Sequence, residues 1–305
     1  MGSLGGYNTS VLDVLFSDGA SGKRMTIISK DVTDAATILQ LRDTCQLVSK
    51  ALEGIIKALH SLAVEHATTP MPGRSNLQQA VPITFGFKMA GLLATFRRHQ
   101  VRLAEILPRL LVLEFGGAAG TLATLTDTGL AHGLAFKIQE ALSKELGLSV
   151  PEIAWHTERD RIAEVGAFFA LVAGTCAKFA LDVKLLMQTE VGEVSELYAP
   201  HRGSSSTMPQ KRNPISSVYI TAMASTIKQL SAALFDAMVE DHERSTGPWE
   251  IEWIVLPQIS TLTHATLTHH NELEWEKKYT LLMLAVENDL IFWLCKERVF
   301  LLAMH

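Results

Sequence analysis

The sequence is poor in cysteine, with Cys45, Cys176 and Cys295 far apart and no C-x-x-C pair. That spacing argues against a disulfide framework or a cysteine zinc site. It fits a reducing compartment, so the expected location is cytoplasmic. Each thiol is expected to fill helix core as a small apolar group. Long basic runs are also missing and the net charge is -5, which argues against a nucleic-acid partner. Residues Met1 to Ser10 lack the basic-then-apolar pattern of a signal peptide. The longest uncharged run, Trp253 to Asn271, contains Pro257, Gln258, His264, His269 and His270, so it predicts a soluble helix rather than a membrane span. Its histidines do not bracket a glutamate at i, i+4, and no metal and no cofactor is expected. The run Phe115 to Gly120 has no lysine at P-loop spacing and no strand before it. It reads as a turn or a close backbone contact. Strand-like alternation, internal repeats and low-complexity segments are nearly absent.

What is present is helical patterning. Hydrophobic residues make up 48% of the chain and charged residues 19%, which are globular values. Ile38, Leu41, Cys45, Val48, Leu52, Ile55, Leu59 and Leu62 alternate spacings of three and four, a seam for long helices packed side by side. Asp31 or Thr33 is placed to cap its start. Pro70, Pro72 and Gly73 end that helix. A second stripe runs through Phe85, Met89, Leu92, Phe96 and Leu103, and Pro108 kinks or stops it. A third helix is expected to end near Gly147. Further helices are expected from the Thr157/Asp160 start to about Gln188, from Pro214 toward Asp241, and over roughly 250–275 and 280–304. The predicted class is all-α, an elongated bundle of long helices.

One stretch is distinctive. Gly203 and the serines 204–206 precede Lys211, Arg212, Asn213 and Pro214. Asn213-Pro214 is a helix start, since Asn caps well and Pro is tolerated at the first helical position. Hydroxyls and cations at a helix N-terminus suit anion handling. A polar linker between helices is the alternative.

The order SSTMPQKRNP resembles the signature loop of the fumarase/aspartase (fumarate lyase) superfamily, with Ser204 where the family has glycine. The segments ATTPMPGRSNLQQAVPITFGFKMAG, LEFGGAAGTLATL, WHTERDRIAE, LLMQTEVGEV and GPWEIEWIVLP resemble, in the same order, bacterial-type 3-carboxy-cis,cis-muconate cycloisomerases, with adenylosuccinate lyases next. ISKDVTDAATILQLRD resembles the family's TSQD segment. The resemblance implies a fumarase/aspartase-like central domain over residues 31–275 with its loop at 203–214. Residues 1–30 would be a remnant of the N-terminal region. Residues 276–305 would be a terminal helix with the C-terminal domain reduced or absent. It further implies that a helical segment preceding TSQD in the family is missing here.

The resemblance assigns roles residue by residue. Ser205 is the base or proton donor, and Ser206 is the second candidate. Lys211 and Asn213 match the pair that holds a substrate carboxylate. A hydroxyl is a poor base unless surrounding N–H groups and cations stabilise its alkoxide. Ser75, Asn76 and Gln78 occupy the T-H-x-Q motif, so Asn76 stands where many lyases have an acid histidine. Its other reading is a turn residue. Ser29 matches the TSQD serine, with Ile28 and Lys30 replacing its neighbours. Arg159 is placed to reach an anionic substrate, while ion pairing within its own helix start is the competing reading.

The implied function is a lyase or cycloisomerase acting on a small polycarboxylate by proton transfer next to a carboxylate, through an aci-carboxylate. A catalytically weak or inactive paralogue serving as an interaction protein is the alternative. An adenylosuccinate lyase-like carbon–nitrogen lyase is disfavoured by Asn76. The family assembles its sites across subunits, which implies a homotetramer. The charge balance and the polar residues in the longest uncharged run point to no nucleic-acid and no membrane partner.

Overall fold

The computed structural model describes residues 29–123, 133–196, 207–208, 210–243 and 246–271. In chain order these form α1 (Ser29–Glu65), β1 (Pro70–Ser75), β2 (Gln78–Thr84), α2 (Phe85–Leu110), α3 (Leu134–Leu146), α4 (Asp160–Leu186), α5 (Ile215–Asp236) and α6 (Pro248–Asn271). The class is helical, as the apolar periodicity predicts. The terminal helix expected over 280–304 lies outside the described residues.

The chain folds as two compact units. Among the described residues, the first comprises those within Met1–Asp43, Glu105–Val165 and Ala233–Ile254, and the second those within Thr44–Ala104, Gly166–Ala232 and Val255–His305.

The seam along α1 is buried from Ile38 through Leu59, but Leu62 is only half-buried and Ala63 takes the next core position. A straight helix drifts against a strict seven-residue repeat, so the buried line moves by one residue near the end. On α2, Phe85, Met89, Leu92, Phe96 and Leu103 are all buried, and Pro108 falls in the last turn rather than kinking the helix midway. Helix α3 ends at Gly147, whose φ of 65° lets its N–H return to Lys144. Helix α4 is long and apolar enough to cross a membrane. Phe168, Phe169, Val172, Cys176, Phe179 and Val183 on it are core residues. Burial pushes the Cys45 thiol up to about 12 and raises that of Cys176 as well. Cys295 lies outside the described residues.

Two helix starts differ from expectation. Helix α1 begins at Ser29, so Asp31 lies inside its first turn. Helix α4 begins at Asp160, and the carbonyl of Arg159, not Thr157, receives the N–H groups of Ile162 and Ala163 at 3.1 Å.

The larger difference is the antiparallel hairpin β1–β2, where periodicity shows no strand. Its burial does not alternate cleanly, and Gln78 through Val81 are exposed, so the period-two signal is missing. Local chemistry builds it instead. Asn76 (φ 51°) and Leu77 (φ 63°) form a two-residue turn with Ser75 paired to Gln78. A Cβ on Gly73 would meet the Val81 carbonyl at 2.8 Å, next to the irregular register at Pro72/Arg74.

Candidate functional site

In the second unit, three of the residues singled out from the sequence meet at one hairpin end. Ser75, Asn76 and Gln78 surround the turn, and all three are exposed. Asn76 takes the left-handed conformation, which asparagine tolerates better than most residues. Arg74, next to this turn, donates to both carboxylate oxygens of Glu193, with Nη1 to Oε2 at 2.9 Å. Nη1 also reaches the carbonyl of Pro72 at 3.4 Å.

Glu193 belongs to the segment that follows α4, and its N–H returns to Leu186 at 3.0 Å. Three residues on, Glu196 turns its carboxylate onto the start of α5. It accepts the N–H of Ser216 at 3.1 Å, the N–H of Ser217 at 2.9 Å and the Ser217 hydroxyl at 2.6 Å. Ile215 donates its own N–H to the Asn213 carbonyl at 2.9 Å, and Pro214 has none to give. The first-turn donors of α5 are therefore already occupied, chiefly by an anion from the same chain. The expected anion site at this helix end is thus filled by Glu196. Lys211 is exposed and Asn213 half-buried just before α5. Ser205 and Ser206 lie outside the described residues.

The first unit holds a buried charge network that includes Arg159. Its guanidinium is bonded to Asp34 at 2.9 and 3.0 Å and to Glu252 at 2.9 and 2.5 Å. Glu240 lies 3.9 Å from its Nε. Arg159 is 1% exposed, and these carboxylates raise its already high pKa against the opposing effect of burial. Arg159 is thus ion-paired, but with Asp34 and Glu252 rather than with Glu158, Asp160 or Glu164 of its own helix start. Trp249 adds an indole N–H to Asp34 at 3.1 Å, and its ring packs on Trp253 with centroids 4.8 Å apart. Lys30 bridges the His156 carbonyl and Glu240, both at 2.9 Å. Ser29 is the first residue of α1, and its hydroxyl is not among the described side chains.

Beside this network the glycine run makes the close contact and turns expected of it. Gly117 and Gly120 take φ of 74° and 77°, and a Cβ on Gly116 would lie 2.4 Å from that of Ala154. The N–H groups of Gly116 and Gly117 both point at the Asp31 carboxylate, at 2.9 and 3.2 Å. His156 Nε2 sits 3.2 Å from both Asp31 Oδ1 and Glu114 Oε1. Glu114 is fully buried, and its Oε2 accepts the Trp155 N–H at 2.6 Å while Oε1 has no hydrogen-bond partner. Burial, with the fields of Asp34 and Asp31, pushes the Glu114 carboxyl up to about 7 against the pull of His156 and the Trp155 N–H. Burial opposes charge on His156, but Asp31 and Glu114 outweigh it and raise its pKa. Asp31, Glu114 and His156 offer ligand atoms within 4.8 Å of one another, close enough for one small cation. A proton on Glu114 and the His156–Asp31 bond serve the same groups without it.

A cavity of about 350 Å³ in the first unit, lined by Phe115, Phe136, Gln139, Val150 and Ile153, contains none of the candidate catalytic or substrate-binding residues. His270 in the second unit stacks on Phe179 at 4.5 Å, and burial lowers it to about 4, so it acts as a neutral core ring.

Sequence reasoning missed Arg74, Glu193, Glu196, Glu114 and His156 as site or network members. Arg74 and Glu193 are 119 residues apart and carry no local signal. Glu114 had one, as a lone acid in the apolar run Leu111 to Phe115.

The sequence profile of a lyase family matches residues 25–228. The chain is 56% identical over 241 residues to trans-aconitate decarboxylase 1 of Mycosarcoma maydis, covering 79% of this chain and 48% of the relative. It is 48% identical over 239 residues to 3-carboxy-cis,cis-muconate cycloisomerase of Pseudomonas aeruginosa, covering 78% and 51%. The crystal structure of 3-carboxy-cis,cis-muconate lactonizing enzyme from Pseudomonas putida superposes with a TM-score of 0.76 at 42% identity, over 82% of this chain and 54% of that one. The chain spans about half the length of the curated relatives it matches.

Proposed function

The chain belongs to the fumarate lyase superfamily, and from that membership we propose that it acts on a small polycarboxylate by moving a proton next to a carboxylate. The substrates named for its relatives support the substrate class, since muconate and aconitate derivatives are both unsaturated polycarboxylates. The single observation that carries the reading is the base of the signature loop. There Lys211 is exposed and Asn213 half-buried just before α5, whose first N–H groups are occupied by Glu196. Lys211 supplies charge and Asn213 direction to one substrate carboxylate.

In this reading Ser205 exchanges the proton on the adjacent carbon, with Ser206 as the second candidate. Charge develops on the held carboxylate as the aci form, which the Lys211 ammonium stabilises more than it does the ground state. In a cycloisomerisation a second substrate carboxylate adds to the alkene and the enolate takes up one proton, so atoms balance without a co-reactant. Ser75, Asn76 and Gln78 offer hydroxyl and amide contacts but no acid. That suits an internal addition or a decarboxylation better than expulsion of an amine. Arg159 serves the fold in this reading and not the substrate. A homotetramer is part of the proposal, since the superfamily shares its sites among subunits.

The test is turnover of 3-carboxy-cis,cis-muconate and of trans-aconitate by the purified chain, followed by ultraviolet absorbance and carbon dioxide release. Ser205→Ala is expected to lower the rate about 10²–10⁴-fold. Absence of turnover on both acids favours the alternative, an inactive paralogue, for which the turn role of Asn76 in place of an acid histidine is the specific support.

A further inference from the structure

We propose that Glu196, together with the Arg74–Glu193 ion pair, is a positioning clasp that sets Lys211 and Asn213 against the hairpin turn Ser75–Gln78. The inference rests on the reading above and gives a role to three residues to which the resemblance assigns none.

The geometry is continuous. Glu193 grips the residue preceding Ser75, and Glu196 grips the two residues that follow Ile215. Between the two glutamates the chain spans at most about 10 Å even when fully extended. The hairpin turn and the entry to α5 are thus tied to one short strap, and both ties are carboxylates receiving more than one N–H or O–H. Such charge-assisted, two-point contacts fix direction as well as distance.

The Glu196 contact also has a chemical role. A helix N-terminus attracts anions, and an open one beside Lys211 would compete for a substrate carboxylate. Pro214 has no N–H, the Ile215 N–H goes to Asn213, and Ser216 and Ser217 go to Glu196. With those donors taken by the chain itself, the strap sets the direction from which Lys211 and Asn213 meet a substrate carboxylate. Ser217 is fully buried, so water does not replace the carboxylate at little cost.

The experiment removes the carboxylate and offers a small one back. Glu196→Ala and Glu196→Gln are compared with wild type, with and without formate, in two measurements. The first is amide exchange at Ser216 and Ser217. Glu196→Ala is expected to speed it about 10- to 100-fold, Glu196→Gln less, and formate to restore protection saturably. The second is turnover of 3-carboxy-cis,cis-muconate. Glu196→Ala is expected to lower kcat with a smaller change in KM, and formate to recover part of kcat over the same concentration range. Unchanged exchange in Glu196→Ala overturns the clasp. So does a lost kcat that formate leaves at its low value while exchange is restored. A wild type with no turnover overturns the enzymatic reading instead, and exchange then shows separately whether the clasp exists. The charge swap Arg74→Glu with Glu193→Arg should keep more kcat than either single change, and equal losses in all three count against the strap.

Discussion

Glu114→Gln isolates a proton that the folded protein is expected to hold. Glu114 is fully buried, its Oε1 receives no hydrogen bond though His156 Nε2 lies 3.2 Å away, and its carboxyl is pushed from 4.5 to about 7 by burial and by the nearby Asp34 and Asp31. Below pH 4.5 the folded and unfolded chains both carry the proton, and the group's contribution is fully present. Between 4.5 and about 7 the unfolded chain has released it while the folded chain retains it, so stability falls as pH rises through that window. Glutamine has nearly the same shape and no titration. The stability of Glu114→Gln relative to wild type should therefore rise by roughly 2–3 kcal/mol between pH 5 and pH 8. His156, whose pKa is also raised, adds a loss of the same sign in wild type. In Glu114→Gln the field that Glu114 lends His156 is gone, so part of that loss goes too. Urea unfolding followed by circular dichroism at pH 5, 6, 7 and 8 measures the difference. If the two proteins keep the same gap at every pH, Glu114 is ionised when folded and the account of its orphan oxygen is wrong.

Two further outcomes follow from the packing. Arg159→Met leaves Asp34 and Glu252 buried without their cation and should cost about 3–5 kcal/mol in urea unfolding, whereas a loss under 1 kcal/mol would mean that water reaches the network. Gly116→Ala drives a methyl to 2.4 Å from the Ala154 side chain and should lower stability by about 1–3 kcal/mol, read as a lower urea midpoint at unchanged slope.

The helices were legible because their apolar residues recur at helical spacing. The line from Ile38 to Leu59 is buried as the spacing predicts, and only Leu62 slips as the pitch drifts. The hairpin was not legible, since Pro70 and Pro72 speak only against helix and the strands lack alternation. At the candidate site, Asn76 was readable as a turn residue from its type alone. Arg159 was readable as ion-paired, but its partners were not, because Asp34 and Glu252 lie 125 and 93 residues away. Glu196 escaped notice for a similar reason. Its carboxylate meets the N–H of Ser216, 20 residues later in the chain and beyond the range of any capping motif.

The Arg159 network also bears on how the chain is made. Its members come from α1, the start of α4 and the start of α6, and the first unit is assembled from three separated stretches of sequence. A ribosome delivers Asp34 and Arg159 long before Glu252, so a nascent chain carries these groups with one carboxylate of the set still missing. The buried set of Asp34, Arg159 and Glu252 cannot close until synthesis has passed Glu252. The unit that begins first in sequence therefore completes late, and the unfinished chain depends on whatever shields its half-paired charges in the interval.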